Sequence, residues 1–438
     1  MKFRNAVIVD GVRSPFARGG RGKLEATRLD DIGAILIRTL FERNPQVKPN
    51  MVEDFGIGTG GDSPEITMLN NISRLAGLPH EVPNFLSNRH CASSMETLHR
   101  VSMAIMLGEY DCAIAIGAER MTRVMGGGRG AGPKRTRLNS LPNPAYKNSK
   151  EQRDLAHDHF EYFSTPIPDF VLDSPPYASM VQTAQNVVEM YDLSREELDA
   201  FAMKSQHRLH EANEQGLYKD EVIALEVEDP VFDENGVWVE EEKGPKIIFD
   251  RDESIRPGTS MEGLAKLNPV KGIVSYGGND LKITAGNSCP TNTGVSVILV
   301  MSEEKALKLG LDPLARIIGW GNAGVKQQIM GMGPVPATKK ALKHAGLTAD
   351  QIDLVEFNEA FAAQVIPSLR ELGIPEEKCN VNGGSIGIGH PIGATGCRIV
   401  MTVAHELRRS GKRYALATQC IGAGQGATTV LEGLHHSA

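Results

Sequence analysis

Two distant stretches of this chain carry the same succession of parts, and that repeat constrains the fold more than any single motif. In the first, Cys91 opens the helical pattern "SSMETLHRVSMAIMLGEY", followed by the buried-strand run "DCAIAIGAE". In the second, His390 opens "PIGATGCRIVMTVAHELRRSG", followed by "KRYALATQCIGAG". Each reads as loop, reactive residue, helix, glycine and short strand. Duplicated units of this kind pack face to face about a pseudo-two-fold axis, which directs the two helix starts, and with them Cys91 and His390, toward one site.

Strand patterns such as "NAVIVDGV" alternate with helical ones such as "MLNNISRLAGL", so the expected class is α/β with a parallel sheet. At 438 residues the chain exceeds what one core usually supports, and two or three domains are expected. The segment running up to about residue 290 reads as an insertion. Its first part, residues 120–153, holds nine Lys or Arg against the single acid Glu151, together with "GGGRGAG". That composition describes a solvated irregular loop, or a basic rim for a polyanionic substrate or docking partner. Further on, Ser194 and Glu197 fit a capping box before a helical pattern.

The formal charge of −7 speaks against general nucleic-acid binding. The six cysteines form no CxxC, so free thiols in a reducing compartment are expected, with the cytosol as the default location. The longest apolar run, "GVSVILVM", is too short to span a bilayer. "GWGNAG" has dinucleotide-loop spacing at Gly319, Gly321 and Gly324, but Lys339, Lys340 and Lys343 stand where an acid is needed. His157 and His159 in "HDHF" suggest no third ligand, and no metal is expected.

The chemistry concentrates near the C-terminus. "NVNGGSIGIGHPIGATG" surrounds His390 with glycine and sets Pro391 at the position of a first helical residue. "QCIGAGQGA" places Cys420 before a turn containing Gly422. "EFNEAFAAQ" puts Asn358 and Glu359 where a buried strand gives way to a helix, a place where Asn also serves as a simple cap.

Together with these stretches, "NRHCASSM", "GAERM", "MVQTAQNV", "SREELDAFA", "LAKLNPV", "ITAGN" and "MGMGPVPA" resemble the thiolases that cleave or make 3-oxoacyl-CoA, in that family's order along nearly the whole chain. The resemblance implies two duplicated α-β-α-β-α halves with an inserted loop domain: residues 1–121 plus 291–312, the insertion 122–290, and 313–438. It implies Cys91 as acyl-accepting nucleophile, with a helix N-terminus and an imidazole lowering its pKa. His390 would activate that thiol and donate to the thioester oxygen, and Asn358 would hold a water in the first oxyanion hole. Cys420 would be the acid/base. The N–H groups of Cys91 and Gly422 would form the second oxyanion hole. Cys112, Cys379 and Cys397 are left as packing or surface thiols.

For the CoA ester the resemblance implies Arg256 near the adenine end, Ala285 in "ITAGN", Cys289 where a pantetheine-contacting serine is usual, and Met180 along the acyl pocket. Pro290 and Thr293 depart from the usual Gly and Asp. Ser179 stands where short-chain biosynthetic members carry His. With the lengthened loop 123–176, this points toward the degradative 3-ketoacyl-CoA thiolases of fatty acid β-oxidation. The competing readings are an acetyl-CoA acetyltransferase, a non-catalytic scaffold of the same fold, and a redox protein pairing Cys91 with Cys420. CoA and acyl-CoA are the implied ligands, as substrates, with no cofactor. A homodimer or homotetramer is implied, and a hydratase/dehydrogenase partner subunit is compatible.

Overall fold

The computed structural model describes residues 3–61, 71–121, 162–172, 174 and 178–435. Most of the basic stretch 120–153, His157, His159 and much of the loop 123–176 lie outside the described residues.

A ten-stranded sheet forms the frame. Its first half contains β1 (Ala6–Arg13), β2 (Ala17–Arg18), β3 (Asp54–Gly58), β4 (Asn84–Ser87), β5 (Cys112–Arg120) and β8 (Asn292–Ser302). Its second half contains β9 (Ala315–Gly324), β10 (Leu354–Phe357), β11 (Tyr414–Ile421) and β12 (Gln425–Gly433). The order is β4-β3-β5-β8-β1-β9-β12-β11-β10, with β2 beside β8. A separate ribbon pairs β6 (Leu225–Phe232) with β7 (Trp238–Phe249).

The repeat is visible in the pairing directions. β3 runs parallel to β5, β5 antiparallel to β8, and β8 antiparallel to β1. The second half repeats this as β10 parallel to β11, then β11/β12 and β12/β9 antiparallel. Strands β1 and β9 join the halves antiparallel, Ala6 facing Ile317. The expectation of a parallel sheet is thus corrected to a mixed one. The reason is local for β11 and β12: residues 422–424 turn the chain back at once, with Ala423 at φ 65° and Gly424 at φ 76°, and so tight a connection allows only antiparallel pairing.

Side-chain alternation on these strands builds the layers. On β5, Ile114 and Ile116 face outward to helix α1 (Leu29–Arg43), where they share a core with Ile32 and Leu36. Ala113 and Ala115 face inward, against α2 (Ser93–Leu107). On β11, Leu416 faces outward and Ala415 and Ala417 inward, against α7 (Thr395–Ser410). The outward side of the second half is covered by α3 (Met180–Tyr191), α4 (Arg195–Glu214), α5 (Pro334–Ala345) and α6 (Ala362–Leu372). The α-β-α-β-α order therefore runs through both halves together, which share α2 and α7 as the middle layer. Met95, Leu98 and Val101 of α2 are fully buried there, each stabilising by about 1.5–3 kcal/mol.

The two central helices cross at their N-terminal ends. A Cβ at Gly396 would lie 2.3 Å from the Met95 backbone nitrogen, so only glycine permits the approach. The Cys397 N–H donates to Ser94 Oγ at 3.0 Å across the same crossing.

The segment between β5 and β8 is tied to β1 by one buried cation. Arg13 pairs with Asp252 at 2.7 and 2.9 Å and with Glu221 at 2.7 Å, with its side chain wholly enclosed. Ser194 caps α4 as the sequence suggests, accepting the Glu197 N–H at 3.0 Å. The reciprocal half of the box is replaced: the Glu197 carboxylate pairs with Arg370 on α6. "GWGNAG" lies within strand β9, packed beneath α5, where no helix begins.

Candidate active site

Cys91 occupies a single 3-10 turn, His90–Ala92, that runs straight into α2. The preceding residue, His90, has φ 46°, a left-handed conformation that costs a non-glycine residue about 1–3 kcal/mol. Neighbouring side chains hold it there. Asn88 Oδ1 accepts the His90 N–H at 3.0 Å, Ser93 Oγ accepts the Arg89 N–H at 3.0 Å, and the same hydroxyl donates to the His90 carbonyl at 2.6 Å. The motif "NRHCASS" is thus a self-braced turn at the entry to α2.

Against that sulfur lie the N–H groups of Gly422 and of Cys91 itself. Burial pushes the Cys91 thiol up to about 11, the two N–H groups pull it down, and the nearby Glu119 carboxylate raises it further. The expectation of a lowered thiol pKa is corrected. The site excludes water from the thiolate more strongly than its N–H donors stabilise it. Glu119 holds two loops in place by accepting the N–H groups of Gly60 at 2.6 Å and Gly393 at 3.0 Å.

His390 is 5% exposed, and burial, then the charge of Arg398, lower its pKa to about 3. Its ring is therefore neutral, and its tautomer can be assigned. Nδ1 lies 2.7 Å from Thr395 Oγ1, whose one proton is given to the Pro391 carbonyl at 2.8 Å. The hydroxyl can only accept from Nδ1, so Nδ1 carries the proton and Nε2 is free to take one. Pro391 is not the first residue of a helix: α7 starts four residues later, although the Pro391 carbonyl already accepts the Thr395 N–H at 3.0 Å and Glu119 takes the Gly393 N–H.

Asn358 follows β10 directly, and the residue that caps α6 is Phe361, so Asn358 is not a helix cap. Its Nδ2 lies 3.4 Å from His390 Nε2 and its Oδ1 accepts from Ser385 Oγ at 2.6 Å. Next to it, the buried Glu359 carboxylate accepts from Asn380 Nδ2 at 2.7 Å, Ser205 Oγ at 2.7 Å and the Ile386 N–H at 3.0 Å. That bracing holds the Asn358 loop against the glycine-rich loop of His390.

Cys420 is the penultimate residue of β11, with 1% exposure. Burial, then the charge on Cys91, lift its thiol, while the Gln364 side chain pulls the other way. Cys289 adds a third sulfur, raised by burial, by Cys91 and by Glu359. Its position is set by neighbours on both sides: the Cys289 N–H donates to the Ala360 carbonyl at 3.0 Å, and Thr291 bridges to His390. One place therefore receives Cys91 and Gly422 from two different halves, His390, Asn358, Cys420 and Cys289. Cys112, Cys379 and Cys397 are buried packing thiols elsewhere, and all six cysteines are free.

The remaining predicted contacts lie at the surface. Ser179 accepts the Gln182 N–H at 3.3 Å and caps α3, with Met180 38% exposed beside it. Ala285 is exposed in the turn where Asn287 Oδ1 accepts the Thr284 N–H at 2.9 Å. Arg256 is exposed, its backbone anchored by Gln206 Oε1 at 2.8 Å. Among the described residues none of these four hydrogen-bonds to the Cys91–His390 cluster.

Sequence reading missed Thr395, Ser385, Arg398, Glu119 and Gln364. The hydroxyl five residues after His390, on the first turn of the following helix, is the one signal that could have been followed.

The thiolase N-terminal domain family matches residues 6–304 and the thiolase C-terminal domain family residues 311–433. The chain belongs to the thiolase family. It is 38% identical over 98% of its length to all of the 3-ketoacyl-CoA thiolase of Bacillus subtilis. It is equally similar, over 98% of itself and 99% of the relative, to the β-ketoadipyl-CoA thiolase of Pseudomonas aeruginosa. Human mitochondrial 3-ketoacyl-CoA thiolase superposes over 99% of this chain and all of its own, with TM-score 0.79 and 31% identity. The Bacillus anthracis acetyl-CoA acetyltransferase superposes over the same shares with TM-score 0.81 and 31% identity.

Proposed function

We propose that this thiolase-family protein cleaves 3-oxoacyl-CoA with CoA, giving an acyl-CoA shortened by two carbons and acetyl-CoA. The observation that carries the reading is the meeting, from three separate segments, of two thiols and a neutral imidazole around backbone N–H donors.

In the first half-reaction His390 Nε2 takes the Cys91 proton as the sulfur attacks the 3-oxo carbon. The carbon–carbon bond breaks, and the electron pair passes into the enolate of acetyl-CoA. Protonated His390 and the Asn358 side region stabilise that enolate oxygen, and Cys420 delivers a proton to its α-carbon. The acyl group remains as a thioester on Cys91. In the second half-reaction Cys420 takes the proton of incoming CoA, whose sulfur attacks the acyl carbonyl and releases the Cys91 sulfur, which takes back the proton held on His390 Nε2. The N–H groups of Cys91 and Gly422, already facing the sulfur, receive the oxyanion in both steps; removing one such donor typically costs about 10²–10³ in rate.

Because the thiol and the imidazole are both neutral at rest, the proton moves with the attack and no standing ion pair forms. An unoccupied site therefore holds a weakly reactive sulfur. The whole set of groups is retained here, which argues against a non-catalytic scaffold. Arg256, Ala285, Ser179 and Met180 are proposed to meet the CoA ester from the rim, in a β-oxidation setting and in a homo-oligomer.

Intact-mass spectrometry after brief exposure to 3-oxoacyl-CoA esters of four to sixteen carbons and to 3-oxoadipyl-CoA tests this. An acyl adduct mapped to Cys91, discharged by CoA and absent in Cys91→Ala, is expected. Absence of any adduct at every chain length, with folded protein, would overturn the reading. An adduct from the four-carbon ester alone would favour the acetyltransferase.

A further inference from the structure

The hydrogen bonds of the base continue beyond Asn358, and their direction is set by a group that can only donate. Arg398 is wholly buried on α7. Its Nη1 pairs with Glu356 on β10, and its Nη2 donates to Ser385 Oγ at 2.6 Å. A guanidinium has no lone pair to offer, so the serine oxygen is the acceptor there. The serine proton is then free for one acceptor, and Asn358 Oδ1 lies 2.6 Å away. With its oxygen so engaged, the Asn358 amide must turn Nδ2 toward His390 Nε2, at 3.4 Å.

We propose that Ser385 is a positioning residue that transmits the donor character of Arg398 through Asn358 and so keeps Nε2 of His390 an acceptor. The proposal rests on the assignment of His390 as the base. The logic is one of polarity. Were the amide reversed, Oδ1 would face Nε2, an arrangement that favours the tautomer with the proton on Nε2. That tautomer cannot take the Cys91 proton. Thr395 fixes the proton on Nδ1 by direct contact with the ring, and Ser385 fixes the amide that faces Nε2, so two hydroxyls act on the imidazole, one directly and one through Asn358. Thr395 opens α7, whereas Ser385 opens the separate short turn Ser385–Ile388.

Burial supports the assignment. Ser385, Asn358 and Thr395 are all at 0% exposure and His390 at 5%, so no bulk water is at hand to satisfy whichever partner is lost. Ser385 touches neither sulfur; its effect passes through Asn358 alone.

The test uses Ser385→Ala and the near-isosteric Ser385→Cys, whose weaker donor keeps the volume. Thiolysis with saturating CoA is expected to show kcat lowered about tenfold in Ser385→Ala, the size of one lost hydrogen bond, with KM changed less than about twofold. Ser385→Cys should fall between it and the native protein. The decisive readout is nitrogen NMR of the resting enzyme labelled in its histidines, with His390→Gln identifying the ring signals. Native protein should show Nδ1 protonated and Nε2 bare; Ser385→Ala should show a mixture of tautomers. An unchanged ring pattern overturns the proposal, whether kcat is unchanged or falls together with thermal stability. Native protein that turns over no 3-oxoacyl-CoA would instead sink the functional reading, and the ring pattern of the resting enzyme would still decide the role of Ser385.

Discussion

His390 Nδ1 and Thr395 Oγ1 lie 2.7 Å apart, and the hydroxyl proton is committed to the Pro391 carbonyl. Removing that oxygen without changing volume frees the ring to turn and to shift its proton. Thr395→Val should lower kcat by up to about 10²-fold while leaving KM for the acyl-CoA nearly unchanged. Steady-state kinetics on protein with a native melting curve would check it. A kcat within about twofold of native would show that the ring needs no such anchor.

Alkylation of Cys91 by iodoacetamide should follow its thiolate fraction. With the thiol pushed up to about 11, the rate should rise about tenfold per pH unit from 7 toward 10, without a plateau near neutrality. A plateau at pH 7–8 would reveal a resting thiolate–imidazolium pair and contradict the neutral site. The sign for stability follows from the same shift. The folded state holds this proton more tightly than the unfolded chain, so the contribution is fully present below the unfolded thiol value of about 8.5 and is lost as pH rises toward about 11. Cys91→Ser should flatten that alkaline fall in urea-unfolding curves.

Arg13 is the cation shared by two carboxylates that are almost wholly buried. Arg13→Met would leave Asp252 and Glu221 buried without their cation, at a cost of about 3–5 kcal/mol. Arg13→Lys should lose less, since it restores charge but not the two-pronged contact with Asp252. Urea midpoints of the three proteins would rank them. Equal midpoints for native and Arg13→Met would mean the inserted segment is held chiefly by its apolar contacts.

Gly117 on β5 passes beneath the His390 loop. A Cβ there would lie 2.4 Å from the Gly393 carbonyl oxygen and 2.6 Å from Ala394 Cα, both backbone atoms that cannot swing away. Gly117→Ala should destabilise by about 1–3 kcal/mol and also displace His390, so kcat should fall even at temperatures where the protein is fully folded. Loss of stability with native kcat would show that the loop relaxes without moving the base.

Sequence alone determined much of this protein. The duplicated order of loop, helix and strand already implies two matching halves, and pairing directions repeat it strand for strand. His390, Cys420 and Gly422 stand in glycine-rich loops, which are local patterns, whereas Cys91 and Asn358 stand in motifs without glycine and are legible through the resemblance of those motifs to the family's. Tertiary structure decided what depends on distance between distant segments and on exclusion of water. It made the sheet mixed, shared the central helices between the halves, and raised the Cys91 thiol where local reading lowered it. It also brought Arg398, Ser385 and Thr395 to the imidazole. A hydroxyl or guanidinium reads as an ordinary surface-capable residue until packing removes its solvent, and only then does its one remaining partner become a fixed choice.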